Sequence, residues 1–144
     1  MQSLLTRDEC RLVQATFAQI EPTAAGFAVT FYQRLFKLNP TLVPLFKTDL
    51  EQQAVRLMEK LAVAVVALED LASIAPLVQR LGRRHAGYGV RPADYDTARE
   101  AFLWALRERL GAAFDAEVSS AWSAAFLTIS AEMIRASEDH GGSS

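Results

Sequence analysis

The chain has 144 residues, 51% of them hydrophobic and 22% charged, with a formal net charge of -2 at pH 7. A domain of this length buries roughly 68–70% of the surface that its unfolded chain exposes, which gives one sizeable core. The composition argues against a disordered chain and against a nucleic-acid-binding protein. We expect a single domain over residues 1–138 and a disordered polar tail, "DHGGSS", over residues 139–144.

Membrane and export signals are not found in the sequence. The longest unbroken apolar run, Leu61 to Leu68, is far shorter than the ~20 residues that a membrane span requires. The N-terminal stretch "MQSLLTRDEC" lacks a basic start followed by an apolar block. A single cysteine, Cys10, excludes an internal disulfide and fits a reducing compartment. These features predict a cytoplasmic protein without a membrane span.

Helical periodicity recurs along the whole chain and strand-like alternation does not, so the sequence predicts an all-α fold. Thr6 and Glu9 form a T-x-x-E capping box that predicts the start of a first helix, which runs to about Ile20. Pro22 suits the first turn of a second helix, because the N–H that proline lacks has no partner there anyway. Tyr32 lies on the apolar face of that helix and is therefore predicted to point inward.

The stretch "NPTLVPLF" contains two prolines, which allow only a short helical turn followed by a corner around Phe46. Asp49 is predicted to cap the next helix, which has an apolar stripe along one side. Gln53 lies at the border of this stripe, one turn before Leu57.

A further helix is predicted from about Ser73 to the stretch "LGRRHAGYGV", where Gly87 and Gly89 stop it. His85 continues the apolar face of this helix by one turn, so it is either a hydrogen-bonded core residue or a ligand. Gly82 lies one turn before His85 and is expected to leave space in which a flat group approaches the backbone.

Two more helices complete the predicted fold. After Pro92 a long helix is expected to run to about Leu110, where Gly111 closes it, and Asp115 is expected to cap the last helix. No heptad pattern is sustained, so several capped helices with short connections predict a compact helical fold rather than a coiled coil. The sequence holds no phosphate-binding glycine loop and no zinc-binding or hydrolase motif.

The remaining polar residues on apolar faces point to a pocket. Tyr32 and Gln53 bring hydrogen-bonding groups to apolar helix faces, where such groups are costly unless they find partners. Together with His85 on another helix, they predict an apolar pocket whose walls carry a few hydrogen-bonding groups. A haem iron that binds a gas needs such an arrangement, with one imidazole bond and donors on the open side.

In order along the chain, these segments resemble those of a bacterial single-domain globin, similar to the globin domain of flavohaemoglobins. The resemblance covers about Thr6 to Arg135. "FYQRLFKLNPTLVPLF" resembles the B helix, C helix and CD corner, "EQQAVRLM" the distal E helix, "LGRRHAGYGV" the end of the F helix, and "AFDAEVSSAW" the start of the H helix. The resemblance implies a globin fold in which helices A, B, C, E, F, G and H pack around a haem pocket.

The same resemblance implies haem b, iron protoporphyrin IX, as the cofactor. His85 would be the proximal iron ligand, and O2 would bind on the opposite face, where Tyr32 and Gln53 are the distal donors. Phe46 and Leu57 would pack against the haem. Gln53 also fits a solvated residue at the edge of its helix, and Phe46 and Leu57 also fit ordinary core positions.

Three further positions follow from the resemblance. Arg56, one turn after Gln53, either pairs with a haem propionate or stays exposed in solvent. Tyr95 matches a tyrosine that lies next to the proximal histidine in flavohaemoglobins. The glutamate that accompanies this tyrosine falls on Ser137 here, with Glu138 beside it but turned by about 100°. The proximal charge relay therefore departs from the family pattern.

The function implied by the resemblance is reversible O2 binding or transport, with CO and NO as further ligands. It also implies NO dioxygenase activity with electrons from a separate reductase. Two alternatives remain open, a gas-sensing module that acts through a partner protein and a haem-free scaffold for which His85 is dispensable. The E helix has no histidine, so bis-histidyl iron is not expected, although Tyr32 or Gln53 remains a candidate ligand of ferric iron.

Overall fold

The computed structural model of the chain describes residues 3–46 and 49–142. In chain order, the α-helices in these residues are α1 Arg7–Ile20, α2 Ala24–Leu38, α3 Leu50–Val66, α4 Ala75–Gly87, α5 Pro92–Leu110 and α6 Ala116–Gly142. Short 3₁₀ segments lie at Glu21–Thr23, Pro40–Leu45, Leu68–Ile74 and Gly111–Ala113. No strand occurs in the described ranges, and the predicted all-α class is confirmed.

Three predicted helix caps are present, and one of them is Asp49, which accepts a hydrogen bond from the N–H of Glu51 at 3.3 Å. The Thr6 hydroxyl accepts a hydrogen bond from the backbone N–H of Glu9 at 3.1 Å, and the Glu9 carboxylate accepts one from the N–H of Thr6 at 2.9 Å. Asp115 accepts a hydrogen bond from the N–H of Val118 at 2.9 Å, before α6. Each cap satisfies backbone donors that the first turn of a helix leaves without a partner.

Three boundaries differ from the predicted ones. Pro22 lies in the 3₁₀ segment Glu21–Thr23, and α2 begins after it, at Ala24. The last residue of that segment, Thr23, has φ -117° and ψ 34°, which are not helical angles. The segment Leu68–Ile74 is also 3₁₀, so α4 begins at Ala75 and not at Ser73. Helix α6 continues to Gly142 because no proline or glycine interrupts it before residue 141, so positions 139–142 of the predicted tail are helical. Residues 143 and 144 of that tail lie outside the described residues.

The helices pack in pairs, α2 against α5 and α4 against α6, and α1 contacts both α3 and α6. An aromatic cluster fills the centre, where the ring of Phe102 lies 5.3 Å from Phe27, 5.8 Å from Phe31 and 5.5 Å from Trp122, centroid to centroid. The buried indole N–H of Trp122 donates to the Thr16 hydroxyl at 2.8 Å. This bond joins α1 to α6 and leaves the indole N–H satisfied in the core.

Helix α4 makes its closest approach to α6 at Gly82. A Cβ atom at this position would lie 2.2 Å from the carbonyl oxygen of Met133 and 2.6 Å from its Cα atom. The prediction that Gly82 leaves space for a flat group was wrong, because the backbone of α6 fills that space. This contact sets the position of the helical turn that precedes His85.

Among the described residues, no single helix is both long and apolar enough to cross a membrane. Helix α3 and the segment Leu68–Gly87 reach the length and hydropathy of a membrane span only when they are taken together, and the two are bent by 111° where they meet.

Replacing Gly82 with alanine should destabilise the protein by about 3 kcal/mol, because backbone atoms of α6 cannot give way as a flexible side chain would. Gly87→Ala is the matched control on the same helix, since no atom lies within 4 Å of its added Cβ. The control should be neutral or stabilising by about 0.5 kcal/mol. Urea denaturation followed by circular dichroism measures both effects, and equal stability of the two variants would contradict the packing described here.

Candidate functional site

One cavity of about 320 Å³ is lined by all seven predicted site residues, which are Tyr32, Phe46, Gln53, Arg56, Leu57, His85 and Tyr95. They come from helices α2 to α5 and, in the case of Phe46, from the corner after the 3₁₀ segment Pro40–Leu45, so the fold gathers positions that are far apart in sequence. Most of the remaining lining residues are apolar. Their shared cavity is a structural finding, whereas the role of each residue remains a prediction.

His85 lies half-buried near the end of α4, with its imidazole at the cavity wall. Its Nδ1 atom is 2.7 Å from the carbonyl oxygen of Leu81, one turn earlier on the same helix. A carbonyl only accepts, so Nδ1 carries the proton and Nε2 keeps its lone pair. Burial lowers the pKa of His85, and the charges of Lys60 and Arg84 lower it further, against the opposing effect of the Leu81 hydrogen bond. The residue is therefore a neutral imidazole with one nitrogen available as a ligand.

Tyr95 lies beside His85, with the ring centroids 6.3 Å apart and the ring planes inclined by 30°. The turn from α4 to α5 is short, and within it the N–H of Val90 donates to the carbonyl oxygen of His85 at 3.0 Å. Buried Asp94 accepts from the N–H of Arg91 at 2.8 Å and caps α5. Burial, followed by the charge of Asp94, raises the pKa of Tyr95 to about 12, so its hydroxyl remains protonated near neutral pH.

Tyr32 lies on α2, with its ring buried among aromatic rings. Its centroid is 5.1 Å from that of Phe31, 6.1 Å from that of Phe36 and 5.4 Å from that of Phe46. The Tyr32 hydroxyl donates to the backbone carbonyl oxygen of Gln53 at 3.5 Å, a long hydrogen bond. Burial raises the pKa of Tyr32 to about 12. The hydroxyl is thus a protonated donor at the cavity wall, held by a weak bond that a better acceptor can replace.

Helix α3 forms the wall that carries Gln53 and Leu57. Gln53 is half-buried in its first turn, where its backbone N–H donates to the carbonyl oxygen of Asp49 at 3.1 Å. Leu57 is half-buried one turn later, on the same side of the helix. Phe46 follows the 3₁₀ segment before α3 and closes the wall with an aromatic ring.

Two cations of α3 lie along the cavity. Arg56 is exposed and Lys60 is half-buried, and both contribute to the lining. Lys60 was not predicted as a site residue, although its spacing of four residues from Arg56 places both on one side of the helix. The same spacing rule, applied to the whole of α3 rather than to the matched motif, would have identified it.

The predicted position of the proximal glutamate does not reach the cavity. The Ser137 hydroxyl donates to the carbonyl oxygen of Ile134 in its own helix at 2.7 Å, and Glu138 is exposed. The buried carboxylate of this part of α6 is Glu132, which accepts a hydrogen bond from Nε of Arg135 at 2.7 Å. Neither Ser137 nor Glu138 belongs to the cavity lining, so Glu138 does not replace the missing glutamate there.

The lining fits a flat apolar molecule that carries a metal ion and anionic groups. The single imidazole Nε2 suits one metal bond, the apolar walls suit a ring system, and the cations Arg56 and Lys60 suit carboxylates. The Tyr32 hydroxyl supplies a donor for a small polar ligand of that metal.

The family model for globins matches residues 29–133, well over half of the chain. The chain belongs to the globin family. This globin is 28% identical over 127 residues to a flavohemoprotein of Vibrio cholerae and 29% identical over 129 residues to a flavohemoprotein of Halalkalibacterium halodurans. It is also 26% identical over 149 aligned positions to a neuroglobin of Tetraodon nigroviridis.

The coverage of these relatives differs. The flavohemoprotein alignments include 86% and 87% of this globin but 32% and 31% of the relatives, so the chain spans about one third of their length. The neuroglobin alignment includes 94% of the globin and 93% of the relative. The predicted fold and the predicted similarity to flavohaemoglobins are thereby confirmed, and the family supports haem-based gas binding by this globin.

Proposed function

We propose that this globin holds haem b through Nε2 of His85 and binds O2 reversibly. The observation that carries the proposal is the 2.7 Å contact between His85 Nδ1 and the Leu81 carbonyl oxygen, in a cavity that also contains the Tyr32 hydroxyl. When bound, the haem supplies an iron that binds O2, CO or NO.

On the proximal side, the Leu81 carbonyl orients the imidazole and fixes its tautomer. A hydrogen bond to the other ring nitrogen also makes a histidine ligand more basic, as it does in other metal sites. Tyr95 packs beside the ring and restricts its rotation. Ser137 and the exposed Glu138 lie outside the cavity lining, so neither of them supplies a carboxylate to the imidazole.

On the distal side, Tyr32 is the principal donor. Its pKa of about 12 keeps the O–H protonated, and its bond to the Gln53 carbonyl oxygen is long enough to be exchanged for a bond to a polarised diatomic ligand. Gln53 adds an amide at the same wall. Both donors favour slow release of O2.

At the edge of the cavity, Arg56 and Lys60 are proposed to pair with the two propionates of the haem. Their spacing along α3 puts both cations on one side of that helix, at the cavity, where they would hold the anionic groups of the haem. Such charge-assisted pairs orient the haem without contributing to its chemistry.

The full chain supplied with haemin should show a strong haem absorption band, because His85 offers a neutral imidazole nitrogen. His85→Ala should weaken and shift the band, since the protein would lose its iron ligand. The matched control is His140→Ala, which removes the other histidine of the chain and should leave the band unchanged. An unaltered band in His85→Ala would contradict the assignment, and the absence of a band in the wild-type chain would favour a haem-free scaffold.

Tyr32→Phe should accelerate O2 release about 10- to 100-fold, because a hydrogen bond to a charge-bearing ligand is worth roughly 1.5–3 kcal/mol. Stopped-flow displacement of O2 by CO measures this rate. Tyr95→Phe, which removes the half-buried tyrosine hydroxyl beside His85, should change the rate much less. Equal rates in wild type and Tyr32→Phe would refute the distal role of Tyr32.

A finer proposal is NO dioxygenase activity, for which the similarity to two flavohemoproteins is the support. The overall reaction combines one NO, one O2 and one electron into nitrate, so a separate reductase is needed to supply the electron. Mixing the O2-loaded protein with NO in a single turnover should give stoichiometric nitrate within milliseconds. Slow or incomplete nitrate formation would leave O2 storage as the function.

A further inference from the structure

Positive charge is concentrated in one segment of this acidic chain. Positions 71–93 contain four arginines and no acidic residue. The chain has 15 basic and 17 acidic residues in total, so the other positions hold 11 basic and 17 acidic residues, a net charge of -6. The segment consists mainly of α4 and the turn that follows it.

Three of the four arginines share one side of α4. Arg80, Arg83 and Arg84 fall within about 100° of the helix surface and about 6 Å of its length. Arg80 and Arg84 are exposed and Arg83 is half-buried. We call these three residues the α4 arginine face.

Among the described residues, no acidic side chain forms an ion pair with the α4 arginine face. The ion pairs of the described residues are Asp8–Arg11, Arg91–Asp94, Asp96–Arg99 and Glu132–Arg135. Cations near the end of a helix interact favourably with its dipole, which accounts for Arg84 in the last turn. The dipole effect falls off within one turn, so it does not account for Arg80.

One end of the α4 arginine face lies next to the proposed haem ligand, although none of its three arginines belongs to the cavity lining. Arg84 precedes His85 in the chain, and its charge acts on the imidazole together with that of Lys60 on α3. Arg56 and Lys60 line the cavity from the other side. A molecule bound to the arginines of α4 therefore contacts the helix that carries His85.

We propose that the α4 arginine face docks an acidic protein that carries one electron at a time. This inference rests on the proposed function, since an O2-binding iron that becomes oxidised must be reduced again. The carrier would lose one electron and the iron would gain it. A protein fits better than nucleic acid or a membrane, because the net charge of -6 on the remaining positions repels an extended polyanion and tolerates a small acidic patch.

The probe is reduced plant-type [2Fe–2S] ferredoxin, an acidic one-electron carrier, mixed anaerobically with the full chain loaded with ferric haem. The rate of haem reduction is followed by stopped flow at low and high ionic strength. The test variant is Arg80→Glu with Arg83→Glu, which leaves Arg84 and the cavity residues intact. The control is Arg7→Glu with Arg107→Glu, two exposed positions on other helices that give the same change in net charge.

In the wild-type protein the reduction rate should fall steeply with salt, as it does for electrostatically steered encounters. In the variant with Arg80→Glu and Arg83→Glu, haem reduction at low salt should be about tenfold slower than in the wild type. This rate should also depend much less on salt. The control variant should change by less than about threefold. Equal losses in both variants, or a wild-type rate that does not depend on salt, would overturn the proposal.

Two further measurements distinguish a failure of the proposed haem function from a failure of the proposed docking surface. All variants should keep the haem absorption band, because none of them alters a residue of the cavity. Absence of that band in the wild-type protein would refute the proposed function but not the docking surface. In that case, amide chemical shifts of the labelled chain with ferredoxin still report whether α4 is contacted. Binding of duplex DNA or anionic vesicles through the arginines, without an effect on ferredoxin, would assign the surface to a polyanion and overturn the proposal.

Discussion

The close approach of α4 to α6 at Gly82 is the constraint on which the site depends. Because a glycine lets the α4 backbone lie directly on Met133, the turn that follows holds His85 at the cavity wall. The other wall is set independently by aromatic packing around Tyr32. The cavity exists because two rigid contacts, one backbone and one aromatic, hold its walls without filling the space between them.

Two polar groups of the cavity, the His85 imidazole and the Tyr32 hydroxyl, are each hydrogen-bonded to a backbone carbonyl oxygen. His85 is tied to Leu81 in its own helix, and Tyr32 is tied to Gln53 in a neighbouring one. The first bond is short and local, so it persists as long as α4 does. The second is long and crosses between elements, so it is the bond that a ligand displaces at low cost. The two hydrogen bonds thus differ in strength: the one at His85 is retained, whereas the one at the Tyr32 hydroxyl can be exchanged.

Much of the fold and of the site was predictable because the signals are local. The capping box at Thr6 and the periodic apolar faces depend on neighbours within one or two turns, and the predicted site residues lie on those faces. The surroundings of Gly82 were not predictable, since its contact with Met133 joins residues 51 positions apart. The same holds for Lys60, whose role depends on which side of α3 lines the cavity, and for the start of the second helix, which lies at Ala24 and not at Pro22.

The short turn between α4 and α5 also has a mechanical consequence. Because the Val90 N–H is bonded to the His85 carbonyl and Asp94 fixes the start of α5, only four residues separate the two helices. A shift of His85 along the axis of α4 would therefore also displace Tyr95 at the start of α5. Any force that a ligand exerts on the imidazole is therefore transmitted to α5, and through its packing to α2, where Tyr32 is anchored. The two walls of the cavity are linked by a path that goes around it, along the chain from α4 to α5 and then by packing from α5 to α2.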